Sequence, residues 1–398
     1  MNITLVNIQD DKLEALLKDE CHTEILLAAH LGLFNHPNTK VAELLTDDNS
    51  SSATHVEELM RMLQSLPESM RSGHLAMLEQ MKNDISTNSI SERQRIINDI
   101  KLIISGTISP SAVKELLEFV YPMENYSIVT FEKLKEQFIL KYPEELPRID
   151  KYKIEVTKRG FSRIELIQNF PILNVMLGYT RLERDKDSSV IRSFPNMDGK
   201  QPFYINSLET EAIMFTLDPL RVMEWLERNN LNFKYQGIRD TKHVKAWFVQ
   251  NISEIDKFGE VSEKTSISEQ VIGLVHSMCH ALIRQASVLS GFDRGSMSEY
   301  LFPKMLSFAI YANSQQAATM GGMHSMFEQS LEKWLRDTYT NGNKCVYDPV
   351  CHEHNGACHS CLYLAETSCR HANRTLSRNL LFGGTAENHM IDVGYWEM

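Results

Sequence analysis

The sequence predicts a mixed α/β protein: a mainly helical N-terminal region, residues 1–148, followed by an α/β domain, residues 149–398, with a cysteine cluster near its end. Three observations carry this reading. Before Asp150 apolar residues recur at three- and four-residue spacing, the period of one helix face. Beyond it, short strand-like runs alternate with helical ones. Five of the seven cysteines crowd into KCVYDPVCHEHNGACHSCLYLAETSC, residues 344–369.

In chain order, the Ser-rich stretch LTDDNSSSATH reads as a loop, and HVEELMRMLQSLPESM and SERQRIINDIKLIIS after it read as helices. Thr130 is placed to cap the helix FEKLKEQFIL, and Pro143 and Pro147 break the pattern. YKIEV, RIELI, PFYINSL and AIMFTL have strand character. Asp218-Pro219 opens the helix LRVMEWLERNN. SEQVIGLVHSMCHALIRQASVLSG is a long helix ending at Gly291, with Val275, Met278, Cys279, Leu282, Ala286 and Leu289 as its apolar face. SEYLFPKMLSFAIYAN reads as an entry followed by a strand, and HSMFEQSLEKWLRDTY as one amphipathic helix. ANRTLSRNLLFGG closes as a short helix ended by glycines.

With 398 residues the chain can bury a core without staples, so the cysteines are not needed to rescue a small fold. The N-terminus lacks the basic and apolar regions of a secretory signal, and no apolar run approaches the ~20 residues of a membrane helix. The expectation is a cytoplasmic protein with no membrane segment, whose clustered thiols point to metal before disulfide. Net charge is −11, of which residues 1–150 hold −10, while residues 151–200 carry +4. An acidic chain is a poor non-specific DNA binder by itself.

The cysteine spacing is Cys345-x5-Cys351-x6-Cys358-x2-Cys361-x7-Cys369. The Cys358-x2-Cys361 knuckle lets two thiolates face one ion, and Cys345 and Cys351 supply the other pair of a tetrahedral zinc site. Four thiolates leave no open coordination position, so such a site is structural. Structural zinc is worth about 10–16 kcal/mol of apparent binding energy in finger peptides, enough to order a loop with little core. Cys369 is a substitute ligand or a buried thiol. The simpler reading is a set of unliganded thiols.

His276 and His280 lie four apart on one helix, and Arg284 continues the stripe. That spacing puts the imidazoles on one face, as a metal or phosphate site requires, but no HExxH glutamate accompanies them, which favours two histidines packing at a boundary. Gly321-Gly322 before His324 reads as a tight turn, or as a helix start that meets an anion. Lys151, Lys153, Lys158, Arg159 and Arg163, with Tyr152 and Phe161 interleaved, are candidates for nucleic-acid backbone contact, against a solvated strand face. There is no GxxxxGK[ST], GxGxxG or GxSxG, and hence no recognisable catalytic motif.

Five blocks in order carry a family resemblance: FSRIELIQNFPILNVMLGYTRLE (161–183), PFYINSLETEAIMFTLD (202–218), VHSMCHALIRQASVLSGF (275–292), AIYANSQQAATMGGM (309–323) and CVYDPVCHEHNGACHSCLYLAETSCRHANRTLSRNLLFGG (345–384). The stretch 160–384 resembles the zinc-binding domain of unknown function shared by the DrmB family of the DISARM phage-defence system and MrfB-type repair helicases, the former more closely. The resemblance implies a non-catalytic, zinc-containing accessory subunit. Its partner would be a superfamily 2 helicase that carries the ATPase, and DNA would be engaged through the complex. It places zinc on Cys345, Cys351, Cys358 and Cys361, with Cys369 aligned to a further family cysteine. The rival readings are a metal-dependent nuclease or phosphodiesterase built on His276 and His280, and a scaffold that binds only protein.

Overall fold

The computed structural model describes residues 3–5, 28–31, a few positions between 109 and 119, and 127–398 except 177, 183–188, 196–201, 231–232, 256–265, 293, 314–320, 366–367, 370 and 387–388. The helices expected at 55–70 and 91–105 lie outside these residues, as does most of the SQQAATMGGM loop. The chain divides into two compact units, Met1–Ser91 with Pro171–Glu209, and Glu92–Phe170 with Thr210–Met398.

The elements in chain order begin with strands β1 (Ile3–Leu5), β2 (Ala28–Leu31) and β3 (Ile128–Val129). Helices α1 (Phe131–Lys141) and α2 (Leu146–Lys158) follow, then strands β4 (Phe161–Met176), β5 (Gly178–Leu182), β6 (Ser189–Ser193) and β7 (Pro202–Leu217). Next come α3 (Pro219–Asn229), α4 (Thr241–Asn251) and α5 (Ser266–Ser290), then β8 (Met297–Phe302) and β9 (Ser307–Ala312). The chain closes with α6 (Gly322–Gln329), α7 (Leu331–Gly342), α8 (Val350–Glu353), α9 (Asn379–Phe382), β10 (Gly384–Ala386) and β11 (His389–Ile391).

In the first unit β1 pairs antiparallel with β7 at Pro202–Tyr204, β2 pairs with β4 at Leu173–Met176, and β5 and β6 form a hairpin. In the second unit the sheet order is β3, β4, β7, β9, β8. The register there sets Ala212 opposite Tyr311 and Thr216 opposite Ser307, while Met297 faces Ala312 and Phe302 faces Ser307. Every residue of β8 and β9 is buried. The sheet is covered on both faces there, which is why these strands read as apolar runs without alternation.

Two expectations change. YKIEV is not a strand but part of α2, because Ile149, Tyr152 and Val156 recur at helical spacing and bury one face, with Pro147 in the first turn. The sequence HSMFEQSLEKWLRDTY forms two helices, α6 and α7, broken at Ser330, whose N–H still reaches Met326 O. The expected boundary at 148/149 falls inside α2. The Thr130 and Asp218 caps form as expected, the side chains accepting from Lys133 N and Leu220 N.

Helix α5 is the centre of the second unit. It is not amphipathic: Gln270 to Ile283 are buried without interruption. One side meets the sheet and α7, where Trp334 Nε1 donates to Leu282 O at 2.9 Å and Trp334 stands edge-on to Phe215. The other side meets the cysteine segment. The backbone comes so close there that a Cβ on Gly273 would lie 2.8 Å from Thr375 O. Only glycine allows that approach without displacement.

Candidate metal centres

Cys345, Cys351, Cys358 and Cys361 converge, their sulfurs all within 4.8 Å of one another. The Sγ separations are 3.5 Å for Cys345–Cys358 and 3.7 Å for both Cys351–Cys361 and Cys358–Cys361. A tetrahedron with Zn–S bonds of about 2.3 Å has edges of about 3.8 Å, so the four thiols fit a zinc ion. Two backbone donors already face the sulfurs: Cys358 N to Cys361 Sγ at 3.2 Å and Tyr347 N to Cys345 Sγ at 3.4 Å. The turn needs Gly356, whose φ is +65° and whose Cβ would strike Asn379 Oδ1 at 2.5 Å. Burial alone would raise the Cys358 thiol, but backbone N–H groups of Ser360 and Cys361 and the neighbouring thiol of Cys345 bring it down to about 7. Burial pushes Cys361 up to about 11, and Cys351 higher still. One thiol is thus ready to ionise and the others would lose their protons to a metal.

Around this cluster the fold provides a cationic frame. Arg378, 2% exposed, pairs with Asp348 and donates to Asn343 O at 2.8 Å, while Asp348 accepts from Cys345 N at 2.8 Å. Arg284 spans the knuckle from the other side. Its guanidinium donates to the carbonyls of His359 and Tyr363, each at 3.2 Å, and to Ser360 O.

A second group lies deeper. His276 and His280 of α5, Glu299 of β8 and Cys369 offer one ligand atom each, all within 4.8 Å of one another and all buried. Glu299 Oε1 is 3.2 Å from His276 Nε2, and Oε2 is 2.9 Å from His280 Nε2. Cys369 Sγ is 3.4 Å from His276 Nε2. The far ring nitrogens are held too, His276 Nδ1 by Thr375 Oγ1 at 3.1 Å and His280 Nδ1 by Leu362 O at 2.9 Å. Burial pushes His276 down, toward the neutral ring. Burial also opposes ionisation of Glu299, but the adjoining imidazoles outweigh it and hold the carboxyl well below the usual range. The Cys369 thiol is raised by burial. Between Cys369 and Thr375, Ala372 and Asn373 adopt left-handed backbone (φ 51° and 55°), as does Thr375 itself (φ 62°). The conformation is costly for non-glycine residues, and it persists where the surroundings over-determine it.

No family model matches the chain. It is 26% identical to the DISARM protein DrmB of Bacillus paralicheniformis over 248 residues, 56% of this chain and 41% of the relative's length. The two chains are distant homologues. The chain therefore spans less than half of the DrmB relative it matches.

The structure sorts the remaining candidates. Cys369 is not a substitute for one of the four clustered cysteines, since it turns to His276 instead. Arg159 drops out of the basic run as a surface group: it is 3% exposed, paired with Glu155 at 2.7 Å and stacked over Tyr339 at 3.8 Å. Lys151, Lys153 and Lys158 are exposed on α2, with Lys153 3.5 Å from Glu132, and Arg163 pairs with Glu165 at 3.0 Å. The five therefore do not form one basic face. The start of α6 accepts no external anion at Met323 and His324, because both backbone N–H groups donate to Glu211 Oε2 at 3.1 Å. Sequence reasoning missed Glu299. Its signal was a single carboxylate within MSEYLF, a run otherwise suited to full burial.

Proposed function

We propose that the chain is a non-catalytic, zinc-containing accessory subunit of a helicase-based anti-phage defence complex, and that it helps a partner superfamily 2 helicase engage DNA. The observation that carries the reading is the distant homology to a DISARM protein in a chain whose clustered cysteines fit structural zinc. Zinc on Cys345, Cys351, Cys358 and Cys361 would brace the segment and leave no position for substrate. The scattered basic side chains suit DNA contact made jointly with a partner better than by this chain alone. The described residues contain no helix long and apolar enough to cross a membrane.

The nuclease or phosphodiesterase reading fits less well. His276 and His280 are both 0% exposed, and hydrolysis needs a coordination position open to substrate. The deciding experiment is affinity capture of the tagged chain from its native host, followed by mass spectrometry. A helicase in stoichiometric amount is the expected result. Recovery of only non-helicase proteins would favour the scaffold reading, and ATP hydrolysis with DNA unwinding by the purified chain alone would overturn the accessory role.

A further inference from the structure

The buried group on α5 brings two imidazoles, a carboxylate and a thiol to one point. Leu362 O is a carbonyl and can only accept, so His280 Nδ1 must carry a proton. In the neutral ring Nε2 is then a bare lone pair. That atom is buried and faces Glu299 Oε2 at 2.9 Å. Two buried acceptors in contact repel, and leaving a buried polar atom unsatisfied is costly. His276 aims its own Nε2 at the other oxygen of the same carboxylate and at Cys369 Sγ. A second proton on His280 would turn its contact with Glu299 into an ion pair, whereas a divalent cation would engage both imidazoles, the carboxylate and the Cys369 thiolate together.

We infer that His276, His280, Glu299 and Cys369 form a second metal centre, separate from the four-cysteine cluster, that takes a zinc-like divalent transition ion. Two imidazoles, a carboxylate and a thiolate are a borderline-soft donor set of the kind zinc accepts. The atoms beyond the ligands match as well, since each ring's far nitrogen is fixed by a hydroxyl or carbonyl oxygen, the arrangement that orients metal-bound histidines. Ligand atoms in a tetrahedral site of this type lie about 3.3–3.8 Å apart, so the ligands would open by a few tenths of an ångström around the ion. With all four groups buried, the centre is closed and structural. Its ligands come from α5, β8 and the segment after the knuckle, so the ion would bind these three pieces of the second unit together. The inference does not depend on the helicase partnership.

The test is metal analysis of the full-length purified chain, followed by cobalt(II) replacement and X-ray absorption. The expected result is two metal ions per chain in the wild type. Cys369→Ser should lower this to one and leave only the absorption of a four-thiolate cobalt site. Glu299→Gln, which keeps the shape and removes the charge, should do the same. If the variants fail to fold, the wild type decides: a metal shell containing nitrogen and oxygen as well as sulfur supports the centre. A single ion with an all-sulfur shell, or Cys369→Ser retaining both ions, would overturn it.

Discussion

Arg378 carries a permanent charge at 2% exposure, beside thiols that would become thiolates around a metal. Burial disfavours the charge, and the Asp348 carboxylate offsets this, with Cys361 and Cys351 adding further attraction. Four thiolates around a divalent ion would leave a net negative cluster, and this guanidinium would be the countercharge beside it. Replacing Arg378 with Met keeps much of the volume but removes the charge and the bonds to Asp348 and Asn343. The expected loss is about 1.5–3 kcal/mol of stability, since hydrogen bonds to charged groups carry that much. The variant should also surrender its metal faster to a chelator. A melting temperature and a chelator-competition rate equal to wild type would show that Arg378 is a bystander. Arg378 was not legible as such, because a buried arginine looks in sequence like any other. The convergence of the four cysteines was legible, since their spacing lets four thiols meet within reach of one ion.

At the scale of elements, α5 decides how the cysteine segment is seated. Gly273 lies where the helix and the segment nearly touch, and a Cβ there would meet Leu380 Cδ1 at 2.7 Å and Thr375 O at 2.8 Å. Gly273→Ala would gain about 1 kcal/mol in helix propensity. Overpacking against backbone costs about 1–3 kcal/mol, so the net change should be destabilising. A variant melting above wild type would mean that the segment yields easily. The helix itself was plain from its length and its terminal glycine, but its burial on all sides was not. Periodicity finds a helix through the contrast between its faces, and a helix with no exposed face gives little contrast. YKIEV misled for the opposite reason: five residues of alternating character suit a strand, while Ile149, outside that window, completes the helical face.

For the molecule as a whole, the core of the second unit extends into the cysteine segment through Leu362 and Leu364, but its aromatic centre is built from β7, β9 and α7. Phe215, Phe308 and Trp334 pack together beneath α5, with Phe215 and Phe308 stacked at 5.0 Å. Stripping metal from the chain should therefore loosen residues 345–363 and leave β7 and β9 protected. Hydrogen exchange with and without chelator reads this directly, and a uniform loss of protection across the sheet would contradict it. The charge asymmetry between residues 1–150 and the rest was fully legible, because it is composition. The pairing of residues a hundred positions apart was not, because nothing local encodes it. That separation also has a bearing on the order of assembly. The four clustered cysteines fall within one short stretch and can close on an ion as soon as Cys361 has been synthesised, at little entropic cost. His276 can meet Cys369 and Thr375 only after the chain has returned across nearly a hundred residues to a finished helix. The knuckle can thus form early and locally, and its seating against α5 comes as a late, long-range step.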